Sequence, residues 1–338
     1  MRLAIVASAH GFGHATRDVA LADELAARGH EITLFTAAPA SVIGRAHAIF
    51  PRRVDVGLVQ PDSLRQDLDA TRVALDTCCS NAAINAMSRT FALFDGVIAD
   101  IAPTALEAAR LAGVPAVAMG NFDWAWIYRH YAPLADHAAR FADWQAPHPA
   151  VQLRPGPDLT GFARTTEGGL LARRFAPQRA RHPAPVHILV GFGGFGLDHL
   201  ESLLPELPGV AWILAPPMAR TGRVDCWFEA DIPFSALLAG ADVVLTKPGY
   251  GMLAEATLAG VPVLWLDRGD FPEAPFLEAA LFARGDQKVA ANPGSDPPGR
   301  VRVAIEEALG ARLAALRPPP RLHDNRAGIA DALLVCLG

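Results

Sequence analysis

Cysteine is scarce in this sequence: four residues, Cys78, Cys79, Cys226 and Cys336. Two are adjacent and none forms a Cys-x-x-Cys pair, which excludes a disulfide framework or a zinc-finger site and suits a reducing compartment. Long apolar runs are missing too. The first, residues 3–6, falls well short of the roughly 7–15 residues of a signal-peptide core, although Arg2 and Ala7-Ser8-Ala9 flank it in signal-like fashion. Every later run is broken by charge, proline or glycine before the roughly 18 residues of a membrane span. There is no basic block, and the net charge is only −5, so nothing points to nucleic acid. A cytoplasmic protein without a transmembrane segment is the expectation; oligomeric state is not legible. With 338 residues, 51 % of them hydrophobic, the chain can bury the cores of two ordinary domains.

What the chain does have is an early glycine-rich turn, Ala7-Ser-Ala-His10-Gly11-Phe-Gly13-His14-Ala-Thr-Arg17. An apolar strand precedes it and an amphipathic helix follows. Such a turn presents backbone N–H groups and a helix N-terminus to a ligand. Two histidines exceed what cradling a phosphate requires and point to a moved proton. The rival reading is the dinucleotide fingerprint. It lacks its third glycine, because Thr16 stands there, and its acidic residue, because the next strand ends Phe35-Thr-Ala-Ala38.

Strands are expected at 3–7, 31–36, 54–58, 96–99 and 116–118, with helices at 17–28, 41–49, 64–88 in pieces, and 104–112. Alternation of this kind implies a parallel sheet wrapped by helices. The second half repeats the plan, with strands at 186–191, 212–215, 226–228, 243–245 and 263–266 and a helix at 198–204. Asp95-Gly-Val-Ile-Ala-Asp100 matches Asp242-Val-Val-Leu-Thr-Lys247, 147 positions later, and Leu111-Ala-Gly-Val-Pro115 meets Leu258-Ala-Gly-Val-Pro262 at the same offset. Paired α/β domains follow, whether by duplication or because glycine ends a helix and proline opens the next strand. The divisions expected are a domain at 1–155, a Pro- and Gly-rich linker at 156–183, a domain at 184–320, and a helix within 321–338 that packs back on the first domain.

His10-Gly-Phe-Gly-His-Ala-Thr-Arg17, Asn121-Phe-Asp-Trp124 with Tyr128, Lys247-Pro-Gly-Tyr-Gly251, and Arg268-Gly-Asp-Phe-Pro-Glu273 resemble the glycosyltransferase-like N-terminal part of L-arabinokinases. Gly13-His14 and Gly249-x-Gly251 with Glu255 are also similar to MurG and UDP-glycosyltransferases. The whole resembles the GT-B glycosyltransferase superfamily. That resemblance implies two Rossmann-like domains facing across a cleft, the first holding the acceptor and the second a nucleotide sugar. It implies an inverting transfer, a donor linked to UDP, a small-molecule or lipid acceptor, and no metal or other cofactor.

Sugar transfer needs a base, positive groups for the leaving diphosphate, and a grip on the nucleoside. His14 matches the base of inverting relatives, and Asp100, ending a nearby strand, resembles its carboxylate partner. Each has a plainer reading, as a loop histidine at a helix start and as an N-cap. For the acceptor, the resemblance assigns His10, Gly11, Gly13, Asn121, Trp124 and Tyr128; core packing is the alternative for the aromatics. For the donor it assigns Gly193, Gly194, Phe228, Lys247, Gly249, Tyr250, Gly251, Glu255, Arg268, Asp270 and Glu273. Helix-start glycines suit a diphosphate, and Glu255 takes the place of a ribose-hydroxyl acceptor. Two other functions stay open: a sugar or nucleotide-sugar binding module without turnover, and a UDP-sugar 2-epimerase, whose early Gly-Thr-Arg-Pro-Glu-like loop is missing.

Overall fold

The computed structural model describes residues 1–8, 12–44, 46–61, 65–173, 175–193, 199–216, 218–267, 269–314 and 323–338. They form two compact units, one of 1–59, 66–172 and 324–338, the other of 60–65 and 173–323.

In the first unit the elements are β1 (Arg2–Ala7), α1 (Gly13–Ala27), β2 (Glu31–Phe35), α2 (Ala40–Ile43), β3 (Ala48–Phe50), α3 (Leu68–Cys78), α4 (Asn81–Phe91), β4 (Gly96–Asp100), α5 (Pro103–Ala112), β5 (Ala116–Gly120), α6 (Trp124–Arg129), α7 (Ala135–Gln145), β6 (Pro149–Leu153) and β7 (Arg164–Gly169). The sheet runs β3-β2-β1-β4-β5-β6-β7, with every pairing parallel. Because β1 is apolar throughout, both its faces can be covered, as a parallel sheet requires. Leu3 and Ile5 pack with α1 and the C-terminal helix, Arg326–Leu337. Ala4 and Val6 pack with α4 and α5.

The second unit holds β8 (Val186–Gly191), α8 (Leu200–Leu203), β9 (Val210–Leu214), β10 (Cys226–Phe228), α9 (Phe234–Gly240), β11 (Val243–Thr246), α10 (Tyr250–Ala259), β12 (Val263–Trp265), α11 (Ala274–Ala283), β13 (Gln287–Lys288) and α12 (Pro298–Ala314). Its sheet is also parallel, in the order β10-β9-β8-β11-β12-β13. The internal match falls on equivalent elements, β4-α5-β5 and β11-α10-β12. In both copies the glycine sits in the left-handed region that closes a helix, Gly113 at φ 69° and Gly260 at φ 71°. The N–H two residues past each helix then returns to a carbonyl of its last turn, Val114 to Ala109 and Val261 to Ala256, both at 3.0 Å.

Several expectations are corrected. Residues 54–58 are buried but form no strand. Thr104 Oγ1 donates to the Val54 carbonyl at 2.8 Å and Tyr128 Oη to that of Gly57 at 2.6 Å, so side chains take the place of a ladder. The helix expected over 41–49 stops at Ile43, and β3 follows, because Phe50 pairs with Phe35 and stacks on it at 4.8 Å. The stretch expected as a linker at 156–183 contains β7, an edge strand of the first sheet. Residues 200–203 are helical where 198–204 was expected, residue 198 lying outside those described.

Past the end of β4, Ile101 holds φ 44°, a backbone state that β-branched residues avoid. Gly120 makes this tolerable, since a Cβ there would come within 2.0 Å of Ile101 Cγ2. Gly120→Ala is therefore expected to lower stability by about 1–3 kcal/mol. Urea unfolding checks it; a Gly120→Ala protein as stable as the parent would contradict the packing.

Candidate active site

Strand order reverses between β1 and β4, and ligands of open parallel sheets bind outside the carboxyl ends at such a point. Ala7 and Asp100 are paired there. The chain leaving β1 turns into α1, whose second residue is His14. His14 Nδ1 lies 3.1 Å from Asp100 Oδ2.

Arg17, one turn further along α1, holds the same carboxylate. Its Nε donates to Asp100 Oδ2 at 2.7 Å and its Nη2 to Oδ1. Nη1 donates to Asn121 Oδ1, and Asn121 Nδ2 to the Pro155 carbonyl at 2.7 Å. Nη2 also lies 3.0 Å from His14 Nδ1. All four side chains are buried, Asp100 completely. Burial alone raises the Asp100 carboxyl, but the Arg17 guanidinium and then His14 outweigh it and hold it well below the usual carboxylate range.

Asp18, the next residue, is 1 % exposed, and its carboxyl oxygens have no hydrogen bond of ordinary geometry among the described residues. Burial, then the negative charge of Asp100, push that carboxyl well above its usual range, with Arg17 acting the other way. Neither Arg17 nor Asp18 was assigned a role from the sequence. Their spacing from His14, three and four residues, was the available signal, because such positions share a helix face.

The other expected acceptor residues divide. Gly13 opens α1. His10 and Gly11 lie outside the described residues. Trp124 and Tyr128 are 1 % and 0 % exposed, which corrects their acceptor assignment in favour of the core-packing alternative. The indole donates to Ser8 Oγ at 3.0 Å, and the two rings stack on each other at 5.4 Å.

In the second sheet the order reverses between β8 and β11, where Gly191 pairs with Thr246. Gly193, at φ 70°, follows β8. Lys247 and Gly249 follow β11, with Gly249 preceding the first residue of α10, Tyr250, and Gly251 inside it. A Cβ on either Gly193 or Gly249 would meet nothing within 4 Å. Gly194 and Arg268 lie outside the described residues. Glu255 is buried in α10, its Oε1 accepting from Arg173 Nε at 3.2 Å and its Oε2 from Ser235 Oγ at 2.9 Å. Burial raises its carboxyl, opposed by Arg173 and Ser235. Phe228 is half-buried under the Arg220 guanidinium, 4.5 Å from its centroid. Asp270 is exposed, whereas Glu273 is buried just before α11.

No protein-family model matches the chain. An L-arabinokinase of Arabidopsis thaliana is 30 % identical over 302 residues, 80 % of this chain but 29 % of that protein, so the chain spans less than a third of its relative's length. The crystal structure of a kitacinnamycin glycotransferase superposes with a TM-score of 0.61 at 19 % identity, covering 100 % of this chain and 96 % of the other. The spinosyn rhamnosyltransferase SpnG, solved with thymidine diphosphate, gives a TM-score of 0.55 at 15 % identity, over 100 % and 96 %. No helix among the described residues is long and apolar enough to cross a membrane.

Removing Arg17 strands a buried carboxylate. Arg17→Met is expected to cost about 3–5 kcal/mol, and Asp100→Asn in the same background should recover most of that loss. Urea unfolding at pH 7 reads both; an Arg17→Met protein of parental stability would mean the pair carries no such load.

Proposed function

We propose that this chain, which has the GT-B glycosyltransferase fold, transfers a sugar from a nucleoside-diphosphate sugar to an acceptor hydroxyl with inversion. The observation that carries the reading is the His14–Asp100 contact at the reversal point of the first sheet. His14 Nε2 takes the acceptor proton as the acceptor oxygen bonds to the anomeric carbon and the bond to the diphosphate breaks. Asp100 accepts from Nδ1–H and stabilises the imidazolium. Arg17 and Asn121 hold Asp100 in place.

The donor reading rests on the reversal point of the second sheet. Gly193 and Gly249 leave room for a diphosphate to approach the backbone, α10 offers its N-terminus, and Lys247 adds charge. Glu255 would accept from a ribose hydroxyl on lone pairs that Arg173 and Ser235 leave, and Asp270 and Glu273 would bind donor-sugar hydroxyls. SpnG was solved with thymidine diphosphate, so thymidine-linked donors stand beside the UDP-linked ones that the sequence resemblance favours.

One contact favours a second reading, a binding module. If Arg17 Nη2 donates to His14 Nδ1 across their 3.0 Å, that nitrogen carries the lone pair and Nε2 the proton. The ring then donates to a ligand oxygen and is no base. Nitrogen-15 NMR of His14 separates the two: Nδ1–H for the transferase, Nε2–H for the binder.

Nucleotide sugars of UDP, dTDP, GDP and ADP can be screened by thermal shift, with about 2.7 kcal/mol of stabilisation available at a hundredfold excess over Kd. With a donor and acceptor in hand, His14→Ala is expected to lower turnover by about 10²–10⁴ while leaving the donor thermal shift intact. Undiminished turnover removes the base assignment, and tight binding of a donor that is never turned over transfers the case to the binder.

A further inference from the structure

We infer that Asp18 is a positioning residue of the His14 site, holding one proton in common with Asp100 so that one negative charge rather than two faces His14 and Arg17. The inference rests on the base role proposed above. Asp18 lies four residues after His14 on α1, hence on the same helix face. Its carboxyl is buried against Asp100 without a donor of ordinary geometry. The cation beside it is already directed elsewhere: Arg17 addresses Asp100 through Nε and Nη2 and Asn121 through Nη1.

The charged groups bearing on Asp18 are Asp100 from β4 and Arg17 from its own helix. The core residues that other elements pack on α1 are apolar, Leu3 and Ile5 of β1, Ile32 and Leu34 of β2, Ile43 of α2, and Ile329 and Leu333 of the C-terminal helix, while His47 and Asp331 meet the helix further along, at Asp23 and Arg28. Two neighbouring buried carboxyls, only one of which the guanidinium hydrogen-bonds, retain a proton rather than ionise together. Burial and the Asp100 charge both favour the acid form of Asp18.

The shared proton sets the charge against which His14 works. With it, Asp100, Arg17, Asp18 and neutral His14 sum to zero, and the imidazolium formed on taking the acceptor proton brings the cluster to +1. Without it the cluster starts at −1 and the same step brings it to zero. The transferred proton resides on His14 in both cases, and the carboxyl pair neither gains nor loses one during the step.

The first test needs no donor or acceptor. Unfolding free energy is measured in urea from pH 4 to 9 for the parent and Asp18→Asn. In the unfolded chain Asp18 loses its proton near pH 3.9, whereas the folded chain keeps it to higher pH. The advantage of the parent is therefore full below about pH 4. It falls as pH rises through the raised folded value, by at most tenfold in the unfolding constant per pH unit, and then levels off. Parallel curves for the two proteins would overturn the shared proton. Asp18→Ser serves in the same way if the asparagine protein does not fold.

The second test reads His14 directly. Its ring nitrogen-15 signals should shift at the pH where the stability curve bends in the parent and show no such step in Asp18→Asn. A bend in stability without that ring shift would make Asp18 a proton-holding core residue and overturn its positioning role. Absence of any transferase turnover would count against the base reading alone, leaving both measurements intact.

Discussion

A carboxylate with no solvent exposure can end β4 only because Arg17 reaches it with two parallel donors. In an apolar surround, the cost of stripping water from Asp100 is offset by this bidentate pairing, the stronger geometry for a guanidinium and a carboxylate. The pairing also joins elements distant in sequence. Arg17 belongs to α1, Asp100 to β4, and Asn121 follows β5, so one guanidinium ties the first turns of α1 to the carboxyl ends of two neighbouring strands. The position of His14 depends on that arrangement, because its Nδ1 is aimed at the same carboxylate oxygen that Arg17 Nε already addresses.

This makes the site more than a histidine with an orienting acid. A guanidinium that shares the acid dilutes the negative field at the imidazole, and the second buried carboxyl, raised by burial and by Asp100, adds no full charge to it while it keeps its proton. In the second unit a comparable economy holds: Glu255 is buried in α10 with Arg173 as its counter-charge and Ser235 as a further donor. Polar groups at both reversal points are thus held by fixed partners before any ligand arrives.

Much of this was legible in the sequence because it follows from local pattern. The apolar strands β1 and β4, the Gly-Val-Pro sequences that end α5 and α10, and the amphipathic helix α1 that carries His14 each carry their meaning within a few residues. What failed depended on distant partners. Residues 54–58 alternate as a strand does, yet Thr104 and Tyr128 satisfy their carbonyls instead of a neighbouring strand. β7 is polar, Arg-Thr-Thr-Glu-Gly-Gly, and becomes a strand because β6 lies beside it. Trp124 and Tyr128 sit in a motif-like stretch that allows an acceptor contact or core packing, and their burial decides for the core. Arg17 and Asp18 look like ordinary polar residues of an amphipathic helix; their spacing from His14 puts them on its face, but their burial depends on β4 and Asn121.

The C-terminal helix contributes Ile329, Ala330, Leu333 and Leu337 to the core of the first unit. That unit therefore cannot finish its hydrophobic layer when residue 172 leaves the ribosome. The second unit is translated in the interval, which at the usual 5–20 residues per second lasts roughly ten to thirty seconds. Through that time the apolar face of β1, β4, β5 and β6 that this helix covers waits incomplete. The unit whose synthesis starts first is thus the last to complete its core.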